Sequence, residues 1–266
     1  MPAIVDAVVA QVLRLEVSLH HARARLAAGT DGEALHDLRI GLRRLRSLLK
    51  PLRGRDSVSA LERAAAAVGQ LTTPVRDLEV LVGELRRRGL HEAAERREAR
   101  LATRYGEILH SSELAQLFAC LDSWPADWRR AERGGELRRL ARLLDRRLDK
   151  QRGRLLDALA NLQHDPHRIR LLVKRNRYAA DAYPHHSPLS RRARAALKTV
   201  QSALGDWHDR YQWCLRASRE ADLQPLRQPW QAQAVAALQQ AEDRMLVLAG
   251  ELLRTPRRHA SSPRRL

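Results

Sequence analysis

A chain of 266 residues can bury a sizeable core, and its 44% hydrophobic content excludes a disordered polyelectrolyte although 30% of the residues are charged. The formal net charge of +18 predicts an acidic partner, which would be a nucleic acid, an anionic membrane or a smaller polyanion. Part of this excess reflects a general preference for arginine over lysine, so the placement of the cations has to distinguish these partners.

The predicted elements are all helical, because Leu, Ala and Arg fill long stretches and most Gly and Pro residues lie between them. Thr30 or Asp31 is expected to cap the second helix, and Thr73 followed by Pro74 predicts the start of the fourth. Gly205 is expected to interrupt the pattern late in the chain. In chain order the predicted helices cover about 3–28, 31–50, 57–70, 74–89, 90–109, 112–122, 136–161, 166–182, 188–204, 206–222 and 228–254.

The positions of Gly, Pro and Ser residues also predict where the chain divides into halves. The segment SWPADWRRAERGG at 123–135 is expected to be a loop or a broken helix between two halves, about 1–123 and 135–254. The basic, Pro- and Ser-rich tail at 255–266 is expected to be disordered.

Cysteine usage and hydropathy indicate the compartment. Cys120 and Cys214 each lie in an apolar helical pattern, which favours two free, buried thiols in a reducing environment over a disulfide. The first residues lack the basic n-region of a signal peptide, and no apolar run approaches the ~18 residues of a membrane span. We therefore expect a cytoplasmic protein without a membrane span.

One motif occurs twice in the chain. HDLRIGLRRLR at 36–46 and HRIRLLVKRNR at 167–177 share the spacing H-x-x-R-x-x-x-[RK]-R-x-R, and they lie 131 residues apart. Arg63 matches Arg194 at the same offset, and the segment RDLEVL at 76–81 matches HDRYQW at 208–213 at an offset of 132. Five positions in register, with helix punctuation also in register, predict two homologous helical halves.

The motif places its cations in a row along each helix. At 100° per residue, an arc of about 80° contains His36, Arg39, Arg43, Arg46 and Lys50, with Arg44 on one side and a row of leucines that we expect to be buried on the other. Neighbouring cations in such a row repel each other, at a cost of roughly a few tenths of a kcal/mol per pair. We call His36, Arg39, Arg43, Arg44, Arg46 and Lys50 the first basic row, and His167, Arg170, Lys174, Arg175 and Arg177 the second basic row.

A single basic row is usually a solvated helix face, but two rows in register favour a polyanion site. An approximate twofold axis between the halves would let the two rows face each other and form a continuous basic channel. Three roles are open for His36 and His167: metal ligation, a structural hydrogen bond, and contact with an anion. The cations at i+3 and i+7 disfavour the first of these, and we expect contact with an anion.

The sequence contains no recognisable catalytic signature. It has no evident carboxylate pair for Mg²⁺, no phosphate-binding glycine loop and no G-x-S-x-G motif, so we expect neither an enzyme nor a bound metal or cofactor. The tryptophans do not interleave with the basic rows as they would in a single-stranded nucleic-acid platform, and Tyr178 alone lies beside one. The doublets at 20–21 and 185–186 are expected to be surface histidines.

These segments resemble the CHAD family, an α-helical domain named for its histidine, whose signature is H-x-x-R followed by [RK]-R-x-R in each of two halves. RDLEVL at 76–81 resembles the family's R-D-L-D-V-L segment, and LKTVQSALGDWHD at 197–209 resembles its L-K-x-L-Q-x-x-L-G-x-x-x-D segment. The resemblance covers the chain apart from its tail. It implies two pseudosymmetric antiparallel helical bundles with a central basic groove or pore.

The same resemblance implies noncatalytic binding of inorganic polyphosphate and association with polyphosphate granules. A nucleic-acid-binding helical module is one alternative, and a phosphatase or kinase acting on polyphosphate is an alternative from another class. Asp181 stands where the first half has Lys50, so the second basic row is shorter, and Asn176 replaces a leucine. The predicted polyphosphate-binding residues are the two basic rows together with Arg63, Arg194 and Lys198.

Overall fold

The computed structural model describes residues 2–161 and 165–254, and the predicted tail at 255–266 lies outside the described residues. Within those ranges the chain is helical and forms no strand, which confirms the all-α prediction. Two short 3-10 helices in these ranges cover Lys50–Leu52 and Ala221–Leu226. The α-helices are α1 (Pro2–Ala28), α2 (Ala34–Leu49), α3 (Asp56–Arg87), α4 (His91–Leu109), α5 (Ser112–Arg133), α6 (Leu140–Leu159), α7 (Pro166–Ala182), α8 (Arg191–Ala217) and α9 (Arg227–Arg254).

The chain divides into two compact units, Met1–Leu140 and Ala141–Leu266. The first unit contains α1 to α5, and the second contains nearly all of α6 together with α7 to α9. Among the described residues, no helix has an apolar stretch of the length that a bilayer crossing requires. Cys120 and Cys214 are both free, as predicted, although only Cys120 is buried.

In the first unit α2 packs between α1 and α3. Gly41 of α2 faces Leu19 of α1 so closely that a Cβ built on the glycine would lie 2.8 Å from the Leu19 Cδ2. Leu19, Leu38 and Leu45 are fully buried around this crossing. The glycine therefore lets the helix that carries the first basic row lie directly against α1.

The predicted helix start at Thr73 and Pro74 is wrong, because α3 runs through both residues without a break. Proline lacks the N–H that would bond to the preceding turn. The hydroxyls beside it bond to that turn instead: Thr72 Oγ1 donates to the carbonyl four residues earlier at 2.8 Å, and Thr73 Oγ1 donates to the Gly69 carbonyl at 2.7 Å. Thr72 is fully buried, so this turn is part of the packing between α2 and α3.

The loop or broken helix predicted at 123–135 is helical up to Arg133, and α5 contains Pro125. The indole rings of Trp124 and Trp128 are buried on this segment and stack with their centroids 5.1 Å apart. Burial of two indoles outweighs the local cost of the proline, which is about 3 kcal/mol in a helix interior. The turn falls instead at Gly135, whose φ of +79° is a conformation that favours glycine.

The predicted interruption at Gly205 is also wrong, since α8 continues through it. Leu204 and Trp207 are buried on either side of the glycine, and their packing outweighs a propensity cost of about 1 kcal/mol. The helix begins slightly later than predicted, at a cap formed by Ser190, whose hydroxyl accepts from the Ala193 N–H at 3.0 Å.

The predicted cap of α2 is wrong as well, because the N-cap residue is Glu33 rather than Thr30 or Asp31. Asp31 accepts from the Glu33 N–H at 2.9 Å and from the Arg25 guanidinium at 2.6 Å. Asp31 therefore orders the connection between α1 and α2, two residues before the observed N-cap.

Candidate functional site

The first basic row lies along α2, at the edge of the apolar face that holds this helix in the first unit. His36, Arg39, Arg43 and Arg46 are partly buried, and Arg44 is exposed. Lys50 is partly buried in the 3-10 turn that follows the helix. The row of leucines beside the cations is buried, as predicted: Leu35, Leu38, Leu42, Leu45 and Leu49.

Arg39 is fixed by α3. Its Nη1 donates to Thr72 Oγ1 at 2.8 Å, to Thr73 Oγ1 at 3.1 Å and to the Gly69 carbonyl at 3.3 Å. Burial and the neighbouring Arg43 lower the pKa of Arg39. Its Nε is buried and has no hydrogen-bond partner among the described residues. The structure thus holds this guanidinium where burial and the charge of Arg43 destabilise its protonated form.

The positive charge of the first basic row is not offset from within its own helix. Asp37 is the one acidic residue of α2, and its carboxylate binds Arg25 of α1 at 2.7 Å. In the part of the chain that the structure describes, Arg44 and Arg46 form no ion pair. Arginines elsewhere, such as Arg88 and Arg129, do bind carboxylates.

His36 faces further positive charge from α3. Burial and the charge of Arg76 lower the pKa of His36, which favours the neutral imidazole near pH 7. Arg76 is itself positioned by Glu79 at 2.8 Å, and Tyr105 of α4 donates to the same carboxylate at 2.6 Å. That hydrogen bond, together with burial, raises the pKa of Tyr105. Arg76 therefore belongs to the basic surface of the first unit.

The second basic row lies on α7, and its exposure follows the same order as the first. His167, Arg170, Lys174 and Arg177 are partly buried, and Arg175 is exposed. The five aligned positions thus have the same degree of burial in each unit. The predicted apolar positions of α7, among them Ile169, are buried.

Asn176 lies between two cations of the second basic row, where α2 has Leu45. It is buried. Its Nδ2 donates to the Leu172 carbonyl at 2.9 Å and to the Gln151 carbonyl of α6 at 3.3 Å. The amide therefore joins α7 to α6 with its polar group hydrogen-bonded, as a buried polar side chain requires.

Aromatic rings surround the histidine of the second row. The ring of His167 lies 4.6 Å from Trp207, 5.1 Å from Tyr211 and 5.4 Å from His208 of α8. The prediction that no tryptophan lies beside a basic row is therefore wrong for Trp207. Spacing within α7 could not have indicated this contact, because the rings come from another helix.

His208 is a second histidine that faces the cations. Burial, then Arg170, His167 and Lys174, lower its pKa to about 3. Its Nδ1 is buried and has no hydrogen-bond partner among the described residues. His208 is thus a neutral imidazole at physiological pH, enclosed by positive charge.

Arg76 and His208 were not among the predicted site residues, although the sequence contains a signal for them. Each immediately precedes an aspartate, Asp77 or Asp209, that recurs at an offset of 132 residues. The recurrence of a basic side chain just before that aspartate marks the position.

The structure does not bring Arg63 to the first basic row. At 100° per residue, Arg63 stands about 180° around α3 from Thr72, which contacts Arg39. It lines a cleft with Gln116 and Cys120 of α5. On α8, by contrast, Arg194 is only about 40° around the helix from His208. Arg194 and Lys198 are exposed.

Helix continuity explains this difference between Arg63 and Arg194. The offset of 131 pairs these two arginines, whereas the offset of 132 pairs Asp77 with Asp209. Because α3 and α8 are each unbroken over these residues, one offset has to apply along the whole helix. The offset of 132 keeps the aspartates in register and leaves Arg63 opposite Ala195.

Two helical units, each with a row of partly buried cations on a leucine-rich or mixed apolar helix, define a basic, all-helical protein. The model of the CHAD domain family matches residues 12–218. The chain belongs to the CHAD domain family.

A solved structure has the same fold. The crystal structure of the CHAD domain from the plant Ricinus communis is similar with a TM-score of 0.69 and 22% sequence identity. The match covers 95% of this chain and 92% of the plant domain. The comparison with curated proteins gave no significant match.

Proposed function

We propose that this protein binds inorganic polyphosphate noncatalytically through its two basic rows. The observation that supports the proposal is that both rows contain partly buried arginines that form no ion pair among the described residues. In the described ranges, Arg39, Arg46 and Arg177 form no ion pair, although the chain pairs many of its other arginines with carboxylates. Such an arrangement costs folding stability, and an anionic ligand would repay that cost.

The chemistry of the rows suits a linear chain of phosphates. Arg guanidinium groups bind phosphate oxygens in a forked geometry, whereas a Lys ammonium acts as a point charge. The Nε of Arg39 is a guanidinium donor without a hydrogen-bond partner among the described residues. Recurrence every three or four residues spreads the cations along the helix, as a repeating polyanion requires. Association with polyphosphate granules would follow from this binding.

Nucleic-acid binding is the second candidate, and the aromatic rings beside His167 are the observation that favours it. Bases stack on exposed aromatic faces in proteins that bind single strands. Trp207 is only 6% exposed and is covered by its neighbours, so Tyr211, which is 37% exposed, is the ring available to a base. One partly exposed tyrosine is a small platform, and phosphate recognition remains the stronger proposal.

A binding titration tests the proposal. One fourfold variant replaces Arg39, Arg43, Arg170 and Lys174 with Gln. Its affinities for long-chain polyphosphate, RNA and DNA at physiological salt are compared with those of the unmodified chain. We expect polyphosphate to bind the unmodified chain more tightly than either nucleic acid. The fourfold variant should lose at least tenfold in affinity while keeping its helical circular dichroism.

A charge-matched variant is the control. Arg14, Arg100, Arg142 and Arg146 are exposed and lie outside both rows, so their replacement by Gln removes the same net charge. Equal losses in the two fourfold variants, or tighter binding of nucleic acid than of polyphosphate, would contradict the proposal. Phosphate release by the purified chain would contradict its noncatalytic part.

A further inference from the structure

A cluster of metal-ligating groups lies in the first unit, on residues that the basic rows do not include. Ligand atoms of Glu16, His20 and Asp122 all lie within 4.8 Å of one another. Glu16 and His20 are four residues apart and share a face of α1, and Asp122 comes from α5. The sequence could not reveal this group, because its third member is 102 residues away from the second.

The packing of α1 against α5 forms this cluster. The two helices are antiparallel: Trp128 Nε1 donates to the Val5 carbonyl at 3.4 Å, and the ring of Phe118 lies 4.1 Å from that of His20. Asp122 lies on α5 between Phe118 and Trp128, which places it opposite the middle of α1. The three ligand groups are therefore positioned by the helix pair rather than by a loop.

The charges in the cluster are unusual for this chain. Carboxylate oxygens of Glu16 and Asp122 lie within 4.8 Å of each other, in a protein whose cationic side chains outnumber its acidic ones by 18. Among the described residues, neither carboxyl group forms an ion pair with Arg or Lys. Two adjacent carboxylates repel each other unless a proton or a cation lies between them.

The imidazole supplies the third ligand and narrows the class of cation. The ring of His20 packs against Phe118, and no described residue forms a hydrogen bond with its nitrogens. An imidazole with two carboxylates suits a borderline transition metal, whereas Mg²⁺ and Ca²⁺ prefer ligand sets of oxygen alone. Zinc accepts this combination at bond lengths of about 2.0–2.2 Å, with water in the fourth position.

We propose that Glu16, His20 and Asp122 bind one zinc ion that joins α1 to α5. The ion replaces the repulsion between the two carboxylates with two bonds to a common cation. Because its ligands come from both helices, bound zinc stabilises the folded first unit against unfolding. The proposal does not depend on polyphosphate binding.

Calorimetric titration of the full chain with Zn²⁺ tests the proposal, in a preparation without a histidine tag and without polyphosphate. We expect one equivalent to bind with micromolar affinity or better and to raise Tm. The variants His20→Ala and Asp122→Asn should each weaken this binding at least tenfold. Both residues are exposed, so the variants should keep the helical circular dichroism of the unmodified chain.

Matched controls separate the site from general zinc affinity. His21→Ala removes the exposed histidine next to His20. Glu113→Gln removes an exposed carboxylate from α5, the helix that contains Asp122. These two variants should bind zinc as the unmodified chain does. The proposal is wrong if the unmodified chain binds no zinc below 100 µM, a concentration on the order of weak surface binding. It is equally wrong if the controls lose as much affinity as His20→Ala.

Discussion

At the residue scale, the two basic rows differ in what surrounds the leading histidine. His36 faces Arg76, which is positioned by a carboxylate, whereas His167 packs among Trp207, His208 and Tyr211. Within the described residues, neither leading imidazole forms a hydrogen bond, which disfavours a structural hydrogen bond as the role of either side chain. Ring packing nevertheless gives His167 a structural role in the second unit. Anion contact remains the prediction for His36.

His208 makes the stability of the chain depend on pH. Its pKa is about 3 in the folded chain, against the ordinary histidine value of 6.5, so the unfolded chain binds the proton more readily between these two values. Stability should therefore fall as the pH decreases from about 6.5 toward 3. Relative to the unmodified chain, His208→Gln should lose about 1 kcal/mol less stability between pH 7 and pH 4.5, after allowance for solvent screening.

Urea unfolding at the two pH values measures this difference. His21→Gln is the control, because His21 is exposed and belongs to neither row. It should follow the unmodified chain at both pH values. Equal pH dependence in the chain with His208→Gln would mean that other groups, such as the paired carboxylates, account for the acid sensitivity.

At the scale of the elements, the positions of most helices could be predicted, and three interruptions could not. Pro74, Pro125 and Gly205 are strong local signals for a boundary, but each lies inside a helix. The outcome depends on contacts with other helices, such as the burial of Trp124 and Trp207. Local propensity contains no information about such contacts, so the sequence alone could not show which signals would be overridden.

For the basic rows too, local pattern could be predicted from the sequence and contacts between helices could not. Cations on one helix could be predicted from their spacing, because 100° per residue determines which side chains share a face. Residues that another helix contributes, such as Arg76, Trp207 and His208, depend on helix packing. The position of Arg63 depends on helix packing as well, because the offset of 131 aligns α2 with α7 whereas the aspartates of α3 and α8 follow an offset of 132. Its contact with polyphosphate stays a prediction.

The close crossing of α1 and α2 predicts that a larger residue at Gly41 destabilises the fold. In Gly41→Ala, the added methyl group would lie 2.8 Å from the Cδ2 of Leu19, a fully buried side chain. Overpacking costs about 1–3 kcal/mol, whereas the better helix propensity of alanine returns only about 1 kcal/mol. We therefore expect a net destabilisation of about 1 kcal/mol, measured as a lower urea midpoint with an unchanged m-value.

Gly83→Ala is the matched control for the effect of propensity. Gly83 is an exposed residue of α3, and a Cβ built on it meets nothing within 4 Å. This variant should be stabilised by about 0.5–1 kcal/mol. If Gly41→Ala is stabilised to the same extent, α1 and α2 are not in close contact at this crossing.

At the scale of the whole molecule, the net charge is +18, and the arginines of the described ranges fall into two groups: those that bind carboxylates and those that do not. Many arginines outside the rows bind carboxylates, as Arg25 and Arg129 do. The rows retain cations such as Arg46 and Arg177, which have no ion pair within the described residues. General basicity and a specific polyanion site are therefore different properties of this chain, and the dependence of binding on salt can separate them.

Each phosphate that a cation neutralises releases condensed counterions, so the logarithm of the affinity falls linearly with the logarithm of the salt concentration. For a flexible single chain the slope changes by about 0.7 per contact, so the fourfold variant at Arg39, Arg43, Arg170 and Lys174 should have a slope shallower by roughly 3. Titrations with long-chain polyphosphate at salt concentrations from about 50 to 300 mM measure the slope. The charge-matched variant at Arg14, Arg100, Arg142 and Arg146 should keep the original slope, because those cations release no counterions on binding. A slope reduced equally in both variants would show that polyphosphate responds to net charge alone and that the rows are not its site.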